Sequence, residues 1–279
     1  MSIDYLRSFI IELKASNRSR LTKGSFQRGQ GLFLSLVQQS SEDLFTRLHD
    51  ERNYRPYTVS PVKYVATQGF KSKDESLSAL RFRVTVFDGG EIWDTISTKP
   101  LEGKVKLYLG ESEVIISRII SVSSSDPTGW ASFTTWEALA DNKDVPDTIT
   151  FNFITPTAFS LGDRKFCLFP EPLLVWTSLT RVWNKYAPTQ YRVNRQVLED
   201  FIKMNLAVRD PNLEVRTLHY ASSFQKGFTG TCTYAIYNNS ECSRQIIGLA
   251  EFARYAGVGS KTTMGMGQTQ PELNTIQKL

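Results

Sequence analysis

Tyr5-Leu6-Arg7-Ser8-Phe9-Ile10-Ile11-Glu12-Leu13 opens the chain with alternating apolar residues, which predicts a strand. Beyond it the period changes. From Gly31 to Leu48, the residues Leu32, Leu36, Val37, Leu44, Phe45 and Leu48 recur near every 3.6 positions and predict a helix. Extended segments are predicted at Tyr57 to Tyr64 and Leu80 to Phe87, the second ending in the turn Asp88-Gly89-Gly90. A short helix at Glu91 to Ser97 follows, then a hairpin of Lys104 to Leu109 with Glu113 to Val122. The later part of the chain runs through similar elements. Thr148 to Thr155 is a strand, Pro172 to Tyr186 and Arg195 to Met204 are helices, Leu213 to Tyr220 and Phe224 to Asn238 are strands, and Ser243 to Tyr255 is a helix. Strands and helices mixed in this order, with no sequence repeat, fit an α+β architecture better than a parallel doubly wound sheet.

A chain of 279 residues suggests two domains or one large one. The polar run Asp141 to Asp147, with Pro146, is the best boundary and predicts domains at 1–140 and 148–279. Hydrophobic residues make up 41% and charged residues 22%, enough apolar surface for a real core without disulfide support. Cys167, Cys232 and Cys242 form no CxxC pair, and the two histidines are His49 and His219. No disulfide framework, metal site or cofactor is therefore expected. Apolar runs such as Leu173–Trp176 and Ile246–Ala250 are too short to span a membrane. Asp4, Arg7 and Glu12 make the first residues a poor signal peptide, so a reduced, cytoplasmic protein is expected. The net charge of +5 permits a polyanionic partner. It divides as +2 over residues 1–140 and +3 over 141–279.

The most informative stretch for function is Gly257-Val258-Gly259-Ser260-Lys261-Thr262-Thr263-Met264-Gly265-Met266-Gly267, in which two Gly-apolar-Gly triplets are paired. It follows a helix, so it is not a dinucleotide-binding fingerprint, whose glycines open a helix after a strand. Ser260 before Lys261 rules out a phosphate-binding P-loop, which needs glycine there. A helix C-cap explains Gly257 but not the paired spacing.

This stretch resembles the C-terminal glycine-rich loop of the repeat-associated RNA-binding (RAMP) proteins of CRISPR systems, and within them the endoribonuclease that processes CRISPR repeat RNA (the Cas-six family). About 200 residues earlier, Leu48-His49-Asp50-Glu51-Arg52-Asn53-Tyr54-Arg55-Pro56-Tyr57-Thr58-Val59-Ser60-Pro61 resembles the family's histidine after a helix, followed by a basic-Pro-aromatic-Thr-x-Ser segment entering a strand. The resemblance implies tandem ferredoxin-like (RRM-like) domains, the first carrying the active site and the second the glycine-rich loop. It also implies metal-independent cleavage within CRISPR repeat RNA, giving a 2′,3′-cyclic phosphate and a 5′-hydroxyl. Repeat RNA is then the expected partner, while association with other CRISPR effector subunits stays open; neither membrane nor DNA is expected.

Within that reading His49 and Arg55 are the catalytic candidates. His49 sits in a polar run after a helix, and an imidazole with an ordinary pKa of about 6.5 suits proton transfer near neutrality. Arg55 matches a position where the family often has lysine; it can stabilise charge but cannot donate a proton. His219, in an alternating apolar stretch, reads as structural. RNA-binding candidates are Arg18, Arg20, Lys23 and Arg28 on the first loop, Arg192 and Arg195, and the loop residues Gly257, Gly259, Lys261, Gly265 and Gly267. Thr177 to Leu198 has no acid and interleaves Arg181, Lys185, Arg192 and Arg195 with Trp183, Tyr186 and Tyr191, a pattern suited to phosphates and bases. Trp183 is expected in the core. One departure matters: some relatives carry a tyrosine in the helix before the histidine, and Gly31 to Leu48 has none. The alternative is therefore a non-catalytic RNA-binding subunit of the same superfamily.

Overall fold

A computed structural model of the chain describes residues 4–15, 25–51, 54–65, 78–98, 105–141, 145–220 and 223–274. It divides into two compact units, Met1–Phe133 with Thr263–Gly265, and Thr134–Thr262 with Met266–Leu279.

The first unit contains β1 (Tyr5–Ala15), α1 (Ser25–Ser40), α2 (Glu42–Asp50), β2 (Tyr57–Val59), β3 (Lys63–Tyr64), β4 (Ser78–Val86), α3 (Glu91–Ser97), β5 (Leu107–Leu109) and β6 (Ser112–Ile120). The short strand β7 (Ser132–Thr135) pairs with β1 at its end. The sheet order is β2-β4-β1-β6-β5. β1 lies antiparallel between β4 and β6, with Arg7 opposite Val86 and Ile10 opposite Ile120. Strand, helix, strand, strand, helix, strand, with the first strand between the third and fourth, is the ferredoxin-like arrangement. Phe9, Ile11 and Leu13 on β1 meet Leu32, Phe33 and Leu36 on α1 in the buried core.

The helix read over 31–48 is two helices. Ser41 takes an extended backbone at φ −158° and its Oγ accepts from the Leu44 amide at 3.3 Å, so it caps α2 and ends the α1 run. α1 also starts six residues early, passing through Gly29. A Cβ there would lie 2.4 Å from the Ser60 carbonyl oxygen. Glycine lets the helix press against the segment after β2, so here it serves packing rather than breaking the helix.

The second unit opens with α4 (Trp136–Ala140) and continues through β8 (Thr148–Thr157), β9 (Phe159–Ser160), β10 (Phe166–Cys167), α5 (Pro172–Tyr186), α6 (Arg195–Asn205), β11 (Leu206–His219), β12 (Phe224–Ile236), α7 (Glu241–Ala256) and β13 (Thr269–Asn274). Its sheet order, β11-β12-β8-β13, repeats the arrangement of the first unit. β11 begins seven residues earlier than the apolar alternation indicates. A register shift between Val208 and Asp210 carries the strand through Asp210-Pro211, which an edge strand tolerates. β13 lies in a segment with no apolar alternation; it is held by pairing with β8, Thr269 opposite Phe153 and Asn274 opposite Thr148. His219 is exposed while Leu218 and Tyr220 are buried, so the structural reading of His219 is corrected: strand alternation turns it to solvent.

Aromatic rings fill this unit. Trp176 meets Tyr234 edge-on at 4.9 Å and Phe153 meets Phe228 at 4.9 Å. Trp183 is core, as read, stacked edge-on to Trp136 at 5.1 Å and to Phe252 at 5.3 Å. The structural division falls at Phe133/Thr134, ahead of the polar run 141–147, and the Trp136 indole packs in the second core. Trp136→Ala is expected to cost about 3–5 kcal/mol, lowering Tm by roughly 6–20 °C in a thermal melt.

Candidate active site

His49 stands in the last turn of α2. Leu44 and Leu48 bury one stripe of this helix, and Glu42 and Asp43 in its first turn favour the helix dipole. The imidazole points outward with its side chain 64% exposed, its Nδ1 3.3 Å from Asp50 Oδ1 and its ring 5.6 Å from that of Phe45. Arg55 folds back onto the end of the helix: Nε donates to the Leu48 carbonyl at 3.0 Å and Nη2 to the His49 carbonyl at 3.1 Å. The last carbonyls of a helix lack partners within it, so this guanidinium both caps α2 and fixes the backbone carrying His49. The other cation of α2, Arg47, is bound to Glu91, with Nη1 donating to Oε2 at 3.2 Å, and to Asp43 at 3.3 Å. Those two carboxylates hold the Arg47 guanidinium above its ordinary pKa.

The chain turns toward β2 through Tyr54, whose φ is +48°. Tyr57, on β2, is fully buried against Phe33 at 4.8 Å between ring centroids. Burial pushes its phenol up, while neighbouring Gln30 and Arg55 act in the opposite sense. Gln30 in turn donates through Nε2 to Thr263 Oγ1 at 3.4 Å. Thus His49, Arg55, Tyr57, Gln30 and the tip of the glycine-rich stretch form a chain of neighbours within the first unit.

All four glycines of that stretch have left-handed backbones: φ is +66° at Gly257, +83° at Gly259, +94° at Gly265 and +69° at Gly267. Their surroundings are protein. A Cβ on Gly267 would lie 2.2 Å from the Val258 carbonyl oxygen, one on Gly259 2.6 Å from that of Ala158, and one on Gly265 3.1 Å from Phe26 and Pro61. The loop closes on itself and on the end of β8, with Val258 N donating to Gly267 O at 2.9 Å and Gly267 N to Pro156 O at 3.1 Å. The paired spacing therefore serves the protein's own backbone. Gly257, Gly265 and Gly267 are buried, Gly259 is half-buried, and Lys261 is exposed with Nζ 4.9 Å above the Tyr220 ring. Gly267→Ala is expected to destabilise the fold by about 1–3 kcal/mol, with RNA affinity falling alongside Tm. Affinity lost at unchanged Tm would instead assign the glycines to direct RNA contact.

The remaining candidates have their own local settings. Arg28 is half-buried on α1, and Arg18, Arg20 and Lys23 lie outside the described residues. Arg195 is paired with Glu199 at 2.6 Å. Arg192 donates to the Ala187 carbonyl at 3.3 Å and lines a depression with Glu137, Asp141 and Glu241, acidic company for a phosphate contact. Among the described residues, no group of three or more His, Cys, Asp or Glu side chains is placed to hold a metal ion, and no helix is long and apolar enough to cross a membrane. Sequence reading missed Gln30 and the burial of Tyr57. The signal for Tyr57 was present, since it lies within the quoted basic-Pro-aromatic segment.

Comparison with known proteins places this arrangement. The family model for the CRISPR-associated endoribonuclease Cas6 matches residues 151–269, from within β8 to the start of β13. The CRISPR-associated endoribonuclease Cas6 of Streptococcus thermophilus is 24% identical over 115 residues, 41% of this chain and 46% of the relative. That of Mycobacterium tuberculosis is 28% identical over 126 residues, 44% of this chain and 38% of the relative. These matches span less than half the length of either relative. Solved structures extend the likeness across the chain. A Cas6 product complex is 27% identical with a TM-score of 0.79, covering 96% of this chain and all of that one. The Thermus thermophilus Cas6 structure shares the fold at 23% identity and a TM-score of 0.72, covering 98% of this chain and 99% of that one. With tandem ferredoxin-like units, a family model over most of the second, and a structural match over nearly its whole length, the chain is similar to Cas6 endoribonucleases in fold and, over residues 151–269, in sequence.

Proposed function

We propose that this protein is an endoribonuclease that cleaves within CRISPR repeat RNA, processing the precursor transcript to crRNA without a metal ion. The observation that carries the reading is the exposed His49 imidazole on a helix end locked by Arg55, in a chain similar to Cas6 endoribonucleases. The RNA brings its own nucleophile. The 2′-oxygen bonds to the adjacent phosphorus, the bond from phosphorus to the 5′-oxygen breaks, and the 2′-hydroxyl proton is balanced by one delivered to the departing 5′-oxygen. The products are a 2′,3′-cyclic phosphate and a 5′-hydroxyl. His49 is the proton-transfer group, as base or as acid. If Nδ1–H is donated to Asp50, Nε2 is the atom that faces the RNA. Arg55 positions His49 through its backbone and adds fixed positive charge beside the phosphate.

Lys261, Arg28, Arg192 and Arg195 are the proposed RNA contacts, with Arg18, Arg20 and Lys23 as further ones; Gly257, Gly259, Gly265 and Gly267 act on RNA binding by shaping the loop that presents Lys261. Cys167, Cys232 and Cys242 are free thiols, which suits the cytoplasm as the proposed compartment. The test is cleavage of the cognate repeat in excess EDTA. An unchanged rate is expected; loss of cleavage restored by a divalent ion would overturn the mechanism. The second reading, a non-catalytic RNA-binding subunit, is favoured by the absence of a tyrosine between Gly31 and Leu48 and by the full burial of Tyr57. It predicts that repeat RNA is bound and left intact under all conditions.

A further inference from the structure

Within the second unit, a cavity of about 600 Å³ opens between the turn joining β9 to β10, the start of β12 and the glycine-rich stretch. Its volume falls in the range of small-molecule sites. Arg164, Lys226 and Lys261 place three cations on its wall, and Phe166 and Phe224 line it while 40% and 66% exposed. Two exposed aromatic side chains on one wall offer faces on which a base can stack. Gln225 also lines the cavity. It is only 5% exposed, and its amide Nε2 has no hydrogen-bond partner among the described residues. A buried amide donor left unpaired is unfavourable, and its position on the wall points to a ligand acceptor. The hydroxyl of Tyr220, whose ring lies beneath Lys261, is likewise buried and has no partner among the described residues. The site is built rather than incidental. Leu161 N donates to Lys165 O at 2.9 Å and Lys165 N to Gly162 O at 2.8 Å, fixing the turn that presents Arg164 and Phe166.

We propose that this cavity holds one unpaired nucleotide of the bound RNA, its base against Phe166 and Phe224, its edge accepting from Gln225 Nε2, and its phosphates facing Arg164, Lys226 and Lys261. Aromatic faces, a cationic rim and one buried amide are the chemistry of a single-stranded nucleotide site, since a paired base presents neither free face nor free edge. The proposal rests on the RNA-binding reading above and adds an unpaired segment to the substrate.

Fluorescence anisotropy with a single-stranded RNA octamer and a blunt RNA duplex, each against the intact chain and its variants, tests it. The double variant F166A/F224A, at exposed positions, should keep its Tm and lose roughly 5- to 150-fold in octamer affinity. Its duplex affinity should change less than twofold and its salt dependence should not change. Gln225→Leu should flatten the differences in affinity among A, C and U octamers. Tyr237→Ala, at a surface aromatic 71% exposed outside the cavity, should change nothing. Octamer affinity unaltered in F166A/F224A, or equal losses for octamer and duplex, would overturn the subsite while leaving the endoribonuclease reading in place. An intact chain that binds neither probe and leaves the repeat uncut would overturn both.

Discussion

A repeat RNA with a single 2′-deoxy nucleotide immediately 5′ of the scissile phosphate is expected to bind almost normally and not to be cut. The proposed nucleophile is that one hydroxyl, so removing it stops bond formation at phosphorus altogether. Binding survives because a missing hydroxyl removes at most one or two hydrogen bonds, worth about 0.5–1.5 kcal/mol each, against many phosphate and base contacts. The deoxy RNA should therefore act as a competitive inhibitor of the natural repeat. Gel analysis of both RNAs in the presence of EDTA decides the matter. Cleavage of the deoxy substrate at the same phosphate would identify an activated water as nucleophile and remove the roles assigned to His49 and Arg55.

The second large effect is at His49. His49→Ala should reduce the single-turnover cleavage rate by about 10²–10⁴-fold, the usual worth of one proton-transfer group, and leave repeat affinity and Tm close to those of the natural protein. The structural grounds are specific. The imidazole is largely exposed, its recorded neighbours are Asp50 and Phe45, and the residues that secure its helix are Leu44 and Leu48. Deleting it removes chemistry and little packing. A variant that cleaves at the full rate would refute the assignment and favour the reading in which the chain binds RNA without cutting it. A variant that melts early would show a structural role that its exposure does not suggest.

Much of this is legible in the sequence. The boundaries of α3 and α5 are those the sequence indicates, because each helix carries its own signals: glycines and a capping carboxylate before Glu91, a proline at the first position of α5, and apolar residues at helical spacing. The histidine segment was equally legible, since His49 and Arg55 are six residues apart and lie in one local pattern. What Arg55 does with its guanidinium was not. Its partners are carbonyl groups, and every residue has one; only the place where α2 stops selects those of Leu48 and His49. The same limit hid β13, where Pro271 and Glu272 interrupt any apolar pattern and the strand is held by β8, some 120 residues away.

Sequence alone determined the class of the protein: two mixed halves, a lone histidine in polar company and two paired glycine triplets, each a property of residues close together in the chain. Tertiary structure alone decided what those residues face. It put the glycines against protein carbonyl groups, moved Trp136 into the second core, turned His219 to solvent, and brought Arg164, Gln225 and Lys261 to one cavity. The reason is physical. Local spacing sets backbone conformation, because caps, turns and periodicity act over a few residues. Burial and side-chain partnership depend on which distant segments meet, and that information is spread over the whole chain.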